Sequence, residues 1–189
     1  MATSKGQRVG IWIIVVFLVI GTLGGFAAII LQPINQEADM RAQQKAYEEQ
    51  LEELRKQQEE SRKASKPLKG YESKLKPFDK DKVKELKVEV LKKGKGKKLK
   101  ADSVILANYF GWTADGKIFD STNKNGETNP IEFSLTGVIK GWTEGLTGVT
   151  VGSTVLLTIP SDMAYGDISD GFSPTGPLKF VVEVKKLVE

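Results

Sequence analysis

The 189-residue sequence contains no cysteine and no histidine. Without cysteine it forms no disulfide and offers no thiolate nucleophile, and without either residue it lacks the usual ligands of zinc sites. Acid–base catalysis by an imidazole is excluded for the same reason. The formal net charge is only +4, which gives no indication of nucleic-acid binding. The sequence therefore predicts a function that needs neither a metal nor another cofactor.

Charged residues are absent from one long stretch, between Val9 and Gln36. Within it, Val9 to Leu31 (VGIWIIVVFLVIGTLGGFAAIIL) is long enough, at ~1.5 Å per residue, to cross ~30 Å of hydrocarbon. The alternative is a cleaved signal peptide, whose apolar core is shorter, roughly 7–15 residues. The apolar run continues through Ile29 to Leu31, past the small residues that would suit cleavage, which favours a retained transmembrane anchor over residues 9–31.

The charges that flank this run predict its orientation. Lys5 and Arg8 precede it, whereas Glu37 and Asp39 follow it. Because positive flanks stay on the cytoplasmic side, residues 1–8 are predicted to be cytoplasmic. The predicted protein is single-pass, with the rest of the chain extracytoplasmic.

Residues 32–77 are predicted to form a charged stalk and linker. From Asn35 to Ser65 the sequence is rich in Glu, Gln, Lys, Arg and Ala, which favour a solvated helix. Pro67, Gly70 and Pro77 then end the helix and predict a loose linker.

The stalk has a thin apolar seam. Met40, Tyr47 and Leu54 recur every seven residues, with Leu51 beside them. This is too little for a coiled-coil prediction. Self-association through Tyr47, Leu51 and Leu54 remains an alternative role for the stalk.

Residues 78–189 have the pattern of a globular domain. Leu86, Val88 and Val90 alternate with charged residues, which predicts a strand with one buried face. Asp115-Gly116 predicts a tight hairpin turn. Further strands are predicted at 104–110, 118–119, 131–135, 151–159 and 178–187, with a few helical turns within 138–148. The sum is an α+β fold, an antiparallel sheet with one short helix as the only cover for its apolar face.

A lysine-rich loop, Lys92 to Lys100, joins the first two of these strands. It is interpreted as a solvated turn between strands. Contact with anionic lipid or an acidic partner is the alternative.

Six short motifs occur in the order, and close to the spacing, of a known family. They are Tyr109-Phe110-Gly111, the Asp115-Gly116 turn, Phe119-Asp120-Ser121, Val138-Ile139-Lys140-Gly141-Trp142-Thr143-Glu144-Gly145, Ala164-Tyr165-Gly166, and Leu178-Lys179-Phe180-Val181-Val182-Glu183-Val184. With these motifs, Lys82 to Glu189 resembles the FKBP-type peptidyl-prolyl cis-trans isomerases. The resemblance implies an FKBP-like sheet wrapped around one short helix.

The resemblance also implies a set of site residues. Trp142 would form the floor of an apolar pocket, the Ile139 N–H and the Tyr165 hydroxyl would bind substrate carbonyls, and Asp120 would face the rotating amide. The residues implied to act in catalysis are Tyr109, Asp120, Ile139 and Tyr165. Those implied to bind substrate are Phe119, Ile131, Val138, Trp142, Phe172 and Phe180.

Three positions depart from the family pattern. Ile131 stands where the family usually has an aromatic wall, which predicts a looser pocket. The segment Ser121 to Asn129 lacks an arginine, so Asp120 is expected to lose its usual charged neighbour. The loop Asp167 to Pro177 is short, with Phe172 in place of an aliphatic lid residue.

The implied function is isomerisation of X–Pro bonds in proline-containing polypeptides by a membrane-tethered folding helper, with binding of macrolide-type inhibitors. No nucleic-acid partner is predicted. The departures above motivate an alternative, a non-catalytic membrane-tethered chaperone or scaffold that has kept the fold.

Overall fold

The computed structural model describes residues 36–188, so the predicted anchor at 9–31 lies outside the described residues. Within residues 36–188, no helix is both long enough and apolar enough to span a bilayer. The described residues divide into two compact units, residues 36–56 and residues 57–188.

Helix α1 runs from Gln36 to Ala64, which confirms the helix predicted for this segment. Its surface carries ion pairs at the i,i+4 spacing, which stabilise a solvated helix by a few tenths of a kcal/mol each, about 0.3–0.5. These pairs are Lys45–Glu49, Glu52–Lys56 and Glu59–Lys63. Tyr47 is 47% exposed. Self-association through the apolar seam stays a prediction.

Nine strands and a second helix follow α1. The strands are β1 (Ser65–Lys66), β2 (Lys87–Lys92), β3 (Val104–Trp112), β4 (Ile118–Ser121), β5 (Asn123–Lys124), β6 (Glu127–Thr128), β7 (Ile131–Ser134), β8 (Thr154–Ile159) and β9 (Leu178–Val188). Helix α2 spans Lys140–Leu146, and single 3-10 turns lie at Glu72–Lys74, Lys80–Lys82 and Ser161–Met163. The α+β class predicted from the sequence is confirmed.

The main sheet is antiparallel with the order β2-β8-β9-β3-β4, and β7 pairs with the first half of β3. A smaller sheet has the order β1-β5-β6. Strand β3 lies centrally, since β9 runs along one edge of it while β7 and β4 share the other. Its side chains are buried on both faces, as is usual for a strand covered on both sides.

Helix α2 covers one face of the main sheet by lying on β8. The contact is close because Gly141 and Gly145 face the sheet. A Cβ added at Gly141 would fall 2.3 Å from Ile159 Cγ2, and one added at Gly145 would fall 2.9 Å from Leu157 Cδ2. The larger buried cluster, which includes Trp142, lies on this face.

The other face is covered by the segment that follows β1. Leu68 is only 4% exposed and packs with Phe110, Trp112 and Val181. The indole Nε1 of Trp112 donates a hydrogen bond to the Lys76 carbonyl at 3.0 Å. The loose linker predicted here is therefore wrong, and α2 is not the only cover of the sheet. The cause is the two-residue period of β3, which points alternate side chains at opposite faces.

Strand β2 differs from its predicted burial. Val88 and Val90 are 43% and 55% exposed, although their alternation with charged residues predicted a buried face. Because β2 is an edge strand that pairs with β8, no further strand lies beyond it among residues 36–188. Its register also shifts between Val90 and Lys92.

The lysine-rich loop connects β2 and β3, as predicted. Lys98 forms a bridge with Thr150, and the Gly96 N–H donates to the Val151 carbonyl at 3.0 Å. Leu99 turns inward and is buried. Its contact with lipid or an acidic partner stays a prediction.

Leu68→Ala should lower the free energy of unfolding by about 2–4 kcal/mol, because it leaves a cavity under Phe110 and Trp112. Urea unfolding followed by tryptophan fluorescence measures the loss. Val90→Ala is the matched control, and its exposed side chain should cost under about 1 kcal/mol. Equal costs for the two variants would show that residues 67–78 do not seal this face.

Candidate functional site

Five aromatic rings meet on the face of the sheet that α2 covers. The indole of Trp142 contacts the rings of Tyr109, Phe133 and Phe180, with centroids 5.3, 5.2 and 5.5 Å away. Phe119 meets Phe180 edge-to-face at 5.5 Å. Such edge contacts are worth about 0.5–1.5 kcal/mol beyond the area they bury. The rings thus support one another around the indole.

Backbone contacts set the position of these rings. Gly141 lets α2 approach β8, and this fixes the neighbouring Trp142 over the sheet. On β3, Gly111 leaves room for two rings, since an added Cβ would fall 2.6 Å from both Phe119 Cζ and Phe180 Cε1. Tyr109 lies two residues earlier on the same strand and therefore on the same face. Five elements, α2, β3, β4, β7 and β9, thus contribute one ring each to the cluster.

The indole at the centre of the ring cluster has an unusual polar atom. Trp142 is 3% exposed, and its Nε1 is buried without a hydrogen-bond partner among residues 36–188. An unpaired buried donor costs roughly 1–3 kcal/mol. Aromatic rings and one unpaired N–H therefore make the interior of this cluster strongly apolar.

Asp120 forms the polar edge of the cluster. Its Oδ2 accepts a hydrogen bond from the Tyr109 hydroxyl. Its Oδ1 accepts one from the Ser121 N–H at 2.8 Å and pairs with the Lys124 ammonium at 2.9 Å. The segment from Ser121 to Asn129 lacks an arginine, and Lys124, four residues after Asp120, supplies a positive charge beside the carboxylate instead.

The Tyr109 hydroxyl is held neutral. Burial is the main cause that raises its pKa well above the ordinary value, and the Asp120 carboxylate adds to the shift through its charge and the hydrogen bond. The hydroxyl therefore remains a hydrogen-bond donor at neutral pH.

Tyr165 lies near the same carboxylate. Burial, followed by the charges of Asp120 and Asp170, raises the pKa of Tyr165 to about 12. The residue packs against the larger buried cluster, which contains Trp142, as do Val138 and Ile139. Their roles in binding a substrate stay predictions.

Two predicted residues are not among the members of this cluster. Ile131 pairs with Ala107 on β3 and is half-buried. Phe133, two residues on and on the same side of β7, contacts both Tyr109 and Trp142. Phe133 is thus an aromatic neighbour of Trp142 that the sequence analysis did not name, and the looser pocket at Ile131 stays a prediction. The place of Phe133 in the Ile131, Phe133, Leu135 alternation was the signal that could have identified it.

Phe172 lies in the loop between Gly166 and Leu178. Asp170 shapes this loop, because its Oδ1 accepts hydrogen bonds from the N–H groups of Phe172 and Ser173 at 2.8 and 2.6 Å. Phe172 itself is half-buried. Its role as a lid stays a prediction.

In a spectrophotometric titration, the unaltered chain should show a phenol that ionises near pH 12, and this signal should be missing in Tyr165→Phe. Asp120→Asn should lower the pKa of Tyr165, because it removes a negative charge that opposes ionisation. Tyrosine in an unfolded chain has a pKa of about 10. The neutral Tyr165 hydroxyl therefore makes its full contribution to the free energy of unfolding below ~pH 10, and this contribution is lost as the pH rises toward 12. An unchanged Tyr165 titration in Asp120→Asn would contradict this arrangement.

The sequence pattern of the family described as FKBP-type peptidyl-prolyl cis-trans isomerase matches residues 95–185. The FKBP-type peptidyl-prolyl cis-trans isomerase FkpA of Escherichia coli K12 is 41% identical over 97 residues, which is 51% of this chain and 35% of FkpA. The FKBP-type 22 kDa peptidyl-prolyl cis-trans isomerase of the same organism is 39% identical over 105 residues, 54% of this chain and 50% of that protein.

A crystal structure of a peptidyl-prolyl cis-trans isomerase from Pseudomonas syringae pv. tomato aligns with a TM-score of 0.48 and 36% identity, over 55% of this chain and 76% of that one. The chain spans between about a third and half of the length of the two curated relatives. The family pattern and both curated relatives carry the same description, FKBP-type peptidyl-prolyl cis-trans isomerase. Residues 95–185 of this chain belong to the FKBP-type peptidyl-prolyl cis-trans isomerase family.

Proposed function

We propose that this chain accelerates cis-trans rotation of peptide bonds that precede proline in polypeptides. The uncatalysed rotation crosses a barrier of ~18–20 kcal/mol and takes tens to hundreds of seconds. The barrier comes from amide resonance, so its crossing requires no nucleophile and no proton transfer. A site without histidine or cysteine is compatible with this reaction.

The observation that carries the proposal is the ring cluster around Trp142, with Asp120 at its edge. A twisted amide has less charge separation than a planar one, so transfer into an apolar site costs it less desolvation free energy. Holding the chain in a turn also removes part of the entropy cost. Aromatic walls with a few polar groups therefore favour the twisted state over the planar one.

Specific roles follow for the polar groups. The Ile139 N–H stands just before α2 and has no acceptor within the described part of the chain, so it is available to a substrate carbonyl. Tyr165 offers a neutral hydroxyl to a second carbonyl. Asp120 is fixed by Lys124 and Tyr109 and faces the amide that rotates.

Asp120→Asn should lower the rate constant kcat for isomerisation of a proline peptide about tenfold, because a charged hydrogen-bond acceptor is worth roughly 1.5–3 kcal/mol. Exchange NMR of the peptide with the full chain in mild detergent measures this. Asp102→Asn is the matched control on an exposed turn and should leave the rate unchanged.

The family resemblance also supports macrolide-type inhibitor binding, and such an inhibitor should abolish the acceleration. If a macrolide-type inhibitor leaves the isomerisation rate unchanged, the proposed inhibitor binding is wrong. If the unaltered chain gives no acceleration over buffer, the isomerase proposal is wrong and the non-catalytic chaperone or scaffold remains.

We also propose that the domain acts as a folding helper tethered to the membrane by residues 9–31. The support is the uncharged run from Val9 to Leu31 and the positive charge before it. In intact cells, an external protease should cleave the region 57–189 and leave the N-terminus protected. Release of the chain by alkaline carbonate, or protection of region 57–189, would contradict the tether.

A further inference from the structure

The last two turns of α1, residues 57–64, make hydrogen bonds on both sides of the candidate site. On one side, the Gln58 amide Nε2 donates to the carbonyl of Phe172 at 2.8 Å. The loop that carries Phe172 also carries Asp170, whose charge acts on Tyr165. Gln58 therefore holds a loop that lies next to the site.

On the other side, the link runs through Lys124. Its ammonium donates to the Ser61 carbonyl at 3.3 Å, to the hydroxyls of Ser61 and Ser65 at 2.8 Å each, and to Asp120 at 2.9 Å. An ammonium has three N–H donors, so these four acceptors occupy all of them. Lys124 therefore has little freedom to move, and neither has the Asp120 carboxylate that it holds.

Further bonds join the same two parts of the chain. The Asn125 N–H donates to the Ala64 carbonyl at 2.8 Å. The Ser121 hydroxyl donates to the backbone carbonyl of Lys66, and Asn123 Nδ2 donates to that of Pro67, both at 2.7 Å. Strand β1 directly continues the helix and pairs with β5. The end of α1 is thus part of the structure that supports Asp120.

The two links come from one face of the helix. Gln58 and Ser61 are three residues apart and so lie on one side of the helix. Ser65, the first residue of β1, joins them because its hydroxyl donates to the Ser61 carbonyl at 2.8 Å. Gln58 and Ser61 are half-buried and Ser65 is buried, whereas Glu59 and Glu60 are exposed. This face is directed at the domain, and its polar residues carry the bonds to both loops.

We propose that the last two turns of α1 are a positioning element of the isomerase site. Gln58 fixes the Phe172 loop, and Ser61, through Lys124, fixes Asp120. The inference rests on the proposed isomerase function and extends it, since it assigns part of the predicted stalk to the control of substrate binding and turnover.

The two links predict different kinetic defects. Loss of the Gln58 bond frees a loop and leaves the ring cluster intact, so KM should rise with little change in kcat. Loss of the Lys124 link frees the carboxylate that faces the rotating bond, so kcat should fall. A single net hydrogen bond supports a change of about three- to tenfold in each case.

Gln58 can be tested by an isosteric change. Gln58→Glu in the full chain places an acceptor against the Phe172 carbonyl at neutral pH and should raise KM at least as much as Gln58→Ala. A carboxyl group that is protonated below its pKa, ordinarily about 4.3, regains a donor. Near pH 4, the KM of Gln58→Glu should therefore return toward the unaltered value at that pH, while that of Gln58→Ala stays raised.

Controls separate positioning from folding. Glu60→Ala, on the exposed side of the same turn, should match the unaltered chain in KM and kcat. Thermal unfolding midpoints should agree among the Gln58 and Glu60 variants. For the Lys124 link, Lys124→Met should lower kcat, whereas Lys124→Arg, which keeps the positive charge and the hydrogen-bond donors, should retain most of the unaltered kcat.

Exchange NMR on a proline peptide gives KM and kcat for every variant. If the unaltered chain accelerates isomerisation but both Gln58 variants have the same KM as Glu60→Ala, the inference is wrong and the proposed function still holds. A KM for Gln58→Glu that does not recover at low pH would also overturn it. No acceleration by the unaltered chain would overturn the proposed function, and this inference with it.

Discussion

Two glycines let α2 lie directly on β8, and this close contact determines where the indole of Trp142 stands. The rings of Tyr109, Phe133 and Phe180 then pack against it from β3, β7 and β9. A side chain at Gly141 would meet Ile159 at 2.3 Å and displace the helix, and the indole with it. The apolar character of the site therefore depends on a backbone contact that lies behind it.

The polar half of the site depends on a second constraint. Asp120 is held by Tyr109, Ser121 and Lys124, and Lys124 is held in turn by the end of α1. A carboxylate fixed by three donors needs little reorganisation when a substrate enters, which is the property expected of a preorganised electrostatic site. The proposed reaction thus uses an apolar surface for the rotating amide and a rigid carboxylate at its edge.

Much of this was predictable from the sequence, because the strands follow a two-residue period and the motifs around Trp142 and Tyr165 are local. The α+β fold and the short helix follow from such patterns, whereas the candidate site residues are implied by the family resemblance. The cover formed by Leu68 was missed because prolines and glycine suggested a linker, while its partners Phe110 and Val181 lie far along the chain. Lys124 and Gln58 were missed because their partners are set by tertiary packing, which no local pattern records.

The central claim is that a proline-containing chain binds against the indole of Trp142, and NMR of the indole N–H groups tests it most directly. Trp112 is an internal reference, because its Nε1 is bonded to Lys76 on the opposite face of the sheet. Addition of a proline peptide should shift the Trp142 signal and leave that of Trp112 in place, and the same peptide with alanine for proline should shift neither. A Trp142 signal that does not respond to the proline peptide, or equal shifts of both signals, would contradict the account.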